Sequence, residues 1–191
     1  MTMLQNFDGL IRPLFIETGT CEGNTLAHAA AVFPQCLSIE QNEVLYERSC
    51  ERFKDTPNVR IFHGHSPRIL KDILDPKVPT TFWLDAHYFS SANMLSSIGG
   101  ECPLLEEVQV IAGVPWETAP IIIADDAFMF CDSVSPPGLK WPMSFWKSNE
   151  CENITYHRKD WPRVEQLDEV LVGYARSMLK DEMAFRWDWK G

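Results

Sequence analysis

The sequence predicts an α/β fold, doubly wound around a mostly parallel sheet, with residues 1–191 forming one domain. Two observations carry this expectation: five short apolar runs recur along residues 14–124, and segments with apolar residues at helical spacing separate them. A parallel pair needs a helix to return the chain, so this alternation implies a sheet covered on both faces. A third observation is size, since 191 residues at 45% hydrophobic content fill one core without covalent staples.

The first run, Leu14-Phe15-Ile16-Glu17, stops at Thr18-Gly19, and residues 23–33 then carry alanines and a leucine at helical spacing. The second, Cys36-Leu37-Ser38-Ile39-Glu40, precedes residues 42–53, which are rich in helix formers and set Val44, Leu45 and Arg48 on neighbouring turns. Val59-Arg60-Ile61-Phe62 is a third strand. Ser66 reads as a cap ahead of Pro67 at the first helical position. Ile69, Leu70, Ile73 and Leu74 then form a stripe that Pro76 and Pro79 end. Residues 80–84 and Ile121-Ile122-Ile123-Ala124 are the fourth and fifth strands, ending at Asp85 and at Asp125-Asp126, with a helix over about 103–111 between them. After Phe130 the pattern loosens, and residues 153–157 and 169–174 read as two closing strands that place an antiparallel pair at the sheet edge.

The formal net charge of -10 opposes a nucleic-acid partner, because such affinity depends on Lys and Arg neutralising phosphates. A small neutral or cationic ligand suits it better. Six cysteines without a C-x-x-C pair read as free thiols of a reducing cytosol. No signal-peptide pattern and no run long enough to span a membrane is present, so the expectation is a soluble cytoplasmic protein with no membrane partner. Assembly into a homo-oligomer stays open.

The stretch Glu17-Thr18-Gly19-Thr20-Cys21-Glu22-Gly23-Asn24-Thr25 has glycine at the tight turn and again where the helix begins, so backbone can approach a ligand and amides can point at it. It is not the dinucleotide G-x-G-x-x-G, since Cys21 stands two after Gly19; a cofactor without a pyrophosphate fits better. Glu40 closes the second strand, where an acid can accept hydrogen bonds from both hydroxyls of a ribose. Taken one by one, the glycines are also what an ordinary tight turn needs, and Glu40 also suits a solvated strand end.

In this order, E-x-G-x-x-x-G, then an acid, then Gly64-His65-Ser66, the sequence resembles the class I S-adenosylmethionine-dependent methyltransferases, which are Rossmann-like. The resemblance implies S-adenosyl-L-methionine as cofactor. Glu17, Gly19, Thr20, Gly23, Asn24 and Thr25 would face its amino-acid part and Glu40 its ribose, with Gly64, His65 and Ser66 at the adenine and Asp85 alongside. His65 stands where that family often carries an acid for the adenine amino group, which leaves Ser66 or a backbone carbonyl to serve.

Neighbouring fourth and fifth strands would bring Asp85, Asp125 and Asp126 to one edge. Carboxylates gathered there repel one another unless they gain protons or share a divalent cation. The set is similar to the metal-dependent O-methyltransferases, both the catechol type and the sugar type related to macrocin O-methyltransferase. That resemblance implies that the three aspartates hold Mg2+, which would bind an acceptor hydroxyl and aim it at the methyl group. His87 could take the hydroxyl proton near neutral pH. Catechol-type enzymes place a lysine three residues after the strand-four acid; Tyr88 stands there here, which favours a sugar or other polyol as the small-molecule acceptor. Locally, Asp126 also suits a helix cap and His87 a loop histidine bonded to a carboxylate.

Residues 89–100 read as a small, polar lid ending in Gly99-Gly100, and Phe128, Phe130, Trp141 and Trp146 as walls of an acceptor pocket. Two rival readings remain. In one, Asp85, His87 and Asp125 hold the ion of a metal-dependent hydrolase; in the other, a non-catalytic methyltransferase-fold module meets a partner protein through its acidic surface and tryptophans.

Overall fold

The computed structural model describes residues 11–86 and 102–124. Strands and helices alternate as β1 (Leu14–Thr18), α1 (Asn24–Ala30), β2 (Gln35–Glu40), α2 (Glu43–Phe53), β3 (Val59–His63), α3 (Ser66–Ile73), β4 (Thr80–Leu84), α4 (Leu104–Ala112) and β5 (Ile121–Ala124). The five strands form one sheet in the order β3-β2-β1-β4-β5, and every pairing among the described residues is parallel. The expected closing strands at 153–157 and 169–174 lie outside the described residues.

Period-two alternation along each strand sends side chains to opposite faces, and the helices divide accordingly. Phe15, Cys36 and Trp83 meet Leu26 and Ala29 of α1 and Phe53 of α2 on one face. Leu14, Ile16, Leu37, Ile39, Phe82 and Ile122 meet Leu70 of α3 and Leu104, Val108 and Ile111 of α4 on the other. Central β1 and β4 are buried along their whole length, so they read as continuous apolar runs. Edge strand β3 is only half covered. Each fully buried Phe or Ile of this core contributes roughly 1.5–3 kcal/mol relative to exposure. Trp116 adds an edge-to-face contact with Phe82, at 5.9 Å between centroids, and donates its indole N–H to the Ile111 carbonyl at 2.8 Å.

The order of strands reverses between β1 and β4, because the chain leaves β1 towards β2 and β3 and then crosses back. At such a switch point the adjoining loops diverge and open a crevice beyond the carboxyl ends of the strands.

Two local expectations need correction. The N-cap of α3 is His65 rather than Ser66, which is already the first helical residue. Its hydroxyl donates to Glu107 of α4 instead of to its own helix, a long-range partner that local reading does not reveal. Helix α1 ends at Ala30, earlier than residue 33, with the amides of Val32 and Phe33 both bonded back to the Ala29 carbonyl.

Candidate functional site

The carboxyl ends of four strands are laced together by backbone hydrogen bonds. Gly64 N–H donates to the Glu40 carbonyl at 2.9 Å, Gly19 N–H to the Ile39 carbonyl at 2.9 Å, and Asp85 N–H to the Thr18 carbonyl at 3.1 Å. Gly19, Glu40, Gly64 and Asp85, named from sequence, therefore lie along one continuous rim that spans the switch point.

Glu40 is buried, and its carboxylate takes part in building the turn. Oε2 accepts from Cys21 N–H and Oε1 from Asn42 N–H, each at 2.8 Å. Each oxygen keeps a further lone pair, so a diol can still be received. The turn after β1 is thus fastened to the acid that closes β2, and Asn42 caps α2 by accepting from Leu45 N–H at 3.1 Å.

Gly19 has φ +80°, and a Cβ there would come within 2.5 Å of the Asp85 carbonyl oxygen. Gly23, at φ +72°, would meet the Phe53 ring at 2.7 Å. Both glycines let protein pack on protein, which is what brings the turn down onto the end of β4 and α1 onto the end of α2. Cys21 also holds a positive φ, 49°, where glycine would be unstrained. Arg52, exposed at the end of α2, closes the turn from outside: Nη1 donates to the Glu22 carbonyl and, at 3.0 Å, to Asn24 Oδ1. Asn24 is exposed and Thr25 half-buried at the start of α1.

Beneath the turn runs a row of buried polar side chains. Glu17 and Ser38 are in direct register across β1 and β2; Ser38 Oγ donates to Glu17 Oε2 at 2.5 Å and lies 2.6 Å from Thr20 Oγ1. Burial pushes the Glu17 carboxyl up to about 8; the Ser38 hydrogen bond opposes this, while the nearby charges of Asp85 and Glu40 add to it. The Cys21 thiol is raised by partial burial and by the same two acids together with Glu22, against a backbone hydrogen bond that lowers it.

At the far end of the rim, burial above all lowers the proton affinity of His65, and its Nδ1 is buried without a hydrogen-bond partner among the described residues. Ser66 beside it bonds to fully buried Glu107.

Ser38 and Glu107 are absent from the sequence-derived set. Glu107 had a signal: it occupies the apolar stripe Leu104, Val108, Ile111, where an acid needs a reason. Ser38 had none until the register was known. His87, Asp125 and Asp126 lie outside the described residues, as do residues 89–100 and the aromatic residues expected to wall an acceptor pocket. Among the described residues no group of three His, Cys, Asp or Glu side chains is arranged to hold a metal ion.

No protein-family model matches the sequence, nor does any curated protein. Among solved structures the chain is similar to geranyl diphosphate methyltransferase in complex with S-adenosylmethionine, at 11% identity and TM-score 0.52, covering 87% of this chain and 59% of that one. It is also similar to the 23S rRNA methyltransferase ErmE, at 18% identity and TM-score 0.44 over 62% of this chain and 43% of that one. A third is the precorrin-6y C5,15-methyltransferase from Geobacter metallireducens, at 16% identity and TM-score 0.42 over 59% and 52%. The chain spans about half the length of these proteins. The described residues have the Rossmann-like fold of S-adenosylmethionine-dependent methyltransferases, with the strand order 3-2-1-4-5. No helix among them is long and apolar enough to cross a membrane, and the four described cysteines are free.

Proposed function

We propose that this chain is an S-adenosylmethionine-dependent methyltransferase that acts on a hydroxyl of a small molecule with the help of a divalent cation. The observation that carries the first half is the fastening of the glycine turn to Glu40 through Cys21 N–H, because it sets a ribose-sized acceptor beside exposed backbone at the switch point. Bound there, S-adenosylmethionine would supply a methyl group on a sulfonium, ready for displacement. Glu17, Gly19, Thr20, Gly23, Asn24 and Thr25 would build or line the amino-acid end, Glu40 would hold the ribose, and Gly64, His65 and Ser66 would meet the base. A rim that carries Glu40 and Asp85 suits a cationic ligand better than a phosphate-bearing one.

The second half rests on Asp85, Asp125, Asp126 and His87. Leu84 and Ala124 are paired across β4 and β5, so Asp85 and Asp125 each follow a residue of one register pair. That supports an oxygen-rich cation site of the Mg2+ kind. Asp85 is the described member of that set and directly follows β4. In this reading Asp85, Asp125 and Asp126 would hold the ion, which would supply Lewis-acid charge at an acceptor hydroxyl, and His87 would take the hydroxyl proton. A sugar or other polyol is the acceptor class.

Calorimetric titration with S-adenosylmethionine and S-adenosylhomocysteine, each with and without Mg2+, tests both halves. Binding of both nucleosides, lost in Glu40→Ala, is expected; binding of neither sinks the proposal. Methyl transfer to polyols that persists unchanged in chelator, or in the double variant Asp125→Asn with Asp126→Asn, removes the ion while leaving the transferase.

A further inference from the structure

Backbone in the left-handed region recurs within the turn after β1, at Gly19 (φ +80°), Cys21 (φ +49°) and Gly23 (φ +72°). Cys21 is strained there, since its Cβ crowds the backbone, so contacts rather than local preference hold the shape. The sheet supplies two of them: Gly19 N–H donates to the Ile39 carbonyl and Cys21 N–H to Glu40. Helix α2 supplies the others. Ser49 Oγ donates to the Cys21 carbonyl at 3.4 Å, Arg52 Nη1 donates to the Glu22 carbonyl, and the Phe53 ring lies where a Cβ on Gly23 would fall. Two successive carbonyls are thus taken by residues one helical turn apart.

Ser49 and Phe53 are buried, whereas Arg52 is exposed. The nitrogen that donates to Glu22 also donates to Asn24 Oδ1 at 3.0 Å, so one guanidinium spans Gly23 and ties the peptide before it to the first residue of α1. Without it the Glu22 carbonyl can turn to water, which costs folding little. The peptide then has more than one arrangement, and a ligand that needs one of them binds more weakly by the fraction that holds it. Charge alone predicts the reverse. Removing a cation beside a rim that carries Glu40 and Asp85 would strengthen its attraction for a cationic ligand.

We propose that Arg52 is a positioning residue for cofactor binding: it meets no ligand itself and acts by fixing the peptide between Glu22 and Gly23 together with the start of α1. The inference rests on the methyltransferase reading and adds to it a residue from a helix that the glycine and acid motifs do not include. Glu40, which would hold the ribose, keeps both of its amide donors when Arg52 changes. The effect therefore falls on the amino-acid end of the cofactor and spares the nucleoside.

The test is calorimetric titration of the full chain with S-adenosylmethionine, S-adenosylhomocysteine and 5′-methylthioadenosine, the last of which keeps the nucleoside and thioether but lacks the amino-acid end. Arg52→Gln is expected to bind the first two about three- to tenfold more weakly, as when the competent arrangement falls to between about a third and a tenth of the population. 5′-Methylthioadenosine should bind the variant as it binds the native chain, and the melting temperature should stay within about 2 °C. Arg52→Lys, which keeps the charge and a donor, should recover part of the loss. Arg48→Gln, an equal loss of charge at an exposed position one turn earlier on α2, should bind all three ligands like the native chain. Stronger binding of S-adenosylmethionine by Arg52→Gln, no change, or a loss shared equally by 5′-methylthioadenosine overturns the proposal and leaves the methyltransferase reading standing. Should Arg52→Gln melt far below the native chain, the ratio of S-adenosylhomocysteine to 5′-methylthioadenosine affinity in Arg52→Lys decides. A native chain that binds none of the three overturns both.

Discussion

Gly19→Ala tests the packing of the turn on the end of β4. The added Cβ would lie 2.5 Å from the Asp85 carbonyl oxygen, 2.9 Å from its carbon and 3.0 Å from Ala86 Cα, all backbone atoms that cannot swing aside. Holding a non-glycine residue at φ +80° costs about 1–2 kcal/mol, and overpacking of this kind about 1–3 kcal/mol more. The expected loss is therefore roughly 2–5 kcal/mol, which for a chain of this length lowers the melting temperature by roughly 4–20 °C. Thermal melts followed by far-ultraviolet circular dichroism measure it, with affinity for S-adenosylhomocysteine read alongside. Gly113→Ala is the control: its φ is -75°, its nearest atom would lie 3.3 Å away, and its cost should stay under about 1 kcal/mol. A Gly19→Ala chain melting within about 1 °C of the native one refutes the close approach, since no relaxation of two backbone segments is that cheap.

Other outcomes follow from the same geometry. Glu40→Gln keeps the shape but presents an amide donor to one of the two backbone N–H groups, so stability should fall by about 1–3 kcal/mol in urea melts, and nucleoside affinity with it. Glu17 has its carboxyl raised to about 8 in the folded chain from 4.5, so the folded state holds a proton that the unfolded chain releases across that window. Its contribution is whole below pH 4.5 and declines as pH rises towards 8. Glu17→Gln should therefore melt higher relative to the native chain at pH 8 than at pH 5, and equal offsets at both pH values would contradict the assignment. Glu107→Ala leaves a void between α3 and α4 and strips the Ser66 hydroxyl of its acceptor, for a loss of about 2–4 kcal/mol by thermal melt, whereas Ser66→Ala removes far less volume and should cost less.

The order and type of every described element were legible in the sequence because two simple signals coincide: short apolar runs that fit strands buried on both faces, and helical stripes between them. The rim residues were legible for a different reason. Glycine and acid at strand ends are costly or wasted unless something uses them. What escaped local reading depends on pairs far apart in the chain. Ser66 looks like a cap until Glu107, 41 residues on, takes its hydroxyl. Ser38 looks like an ordinary small strand residue until the register sets it opposite Glu17. Glu40 could be placed at a strand end but not seen to accept from Cys21, because a turn of that shape is not implied by its letters. Asp85 stands at the end of β4 as expected, while the second half of the cation site, Asp125, Asp126 and His87, lies outside the described residues.

The grip of Arg52 on Glu22 and Asn24 makes the bend proposed to meet the cofactor depend on a side chain that belongs to another helix and stands in solvent. An ordinary surface exchange there would loosen the mouth of the crevice without altering a single atom in reach of a ligand. If the rim binds the proposed cofactor, its affinity is adjustable from the outside of the molecule, and drift at position 52 among related chains would retune occupancy while leaving the recognition chemistry as it is.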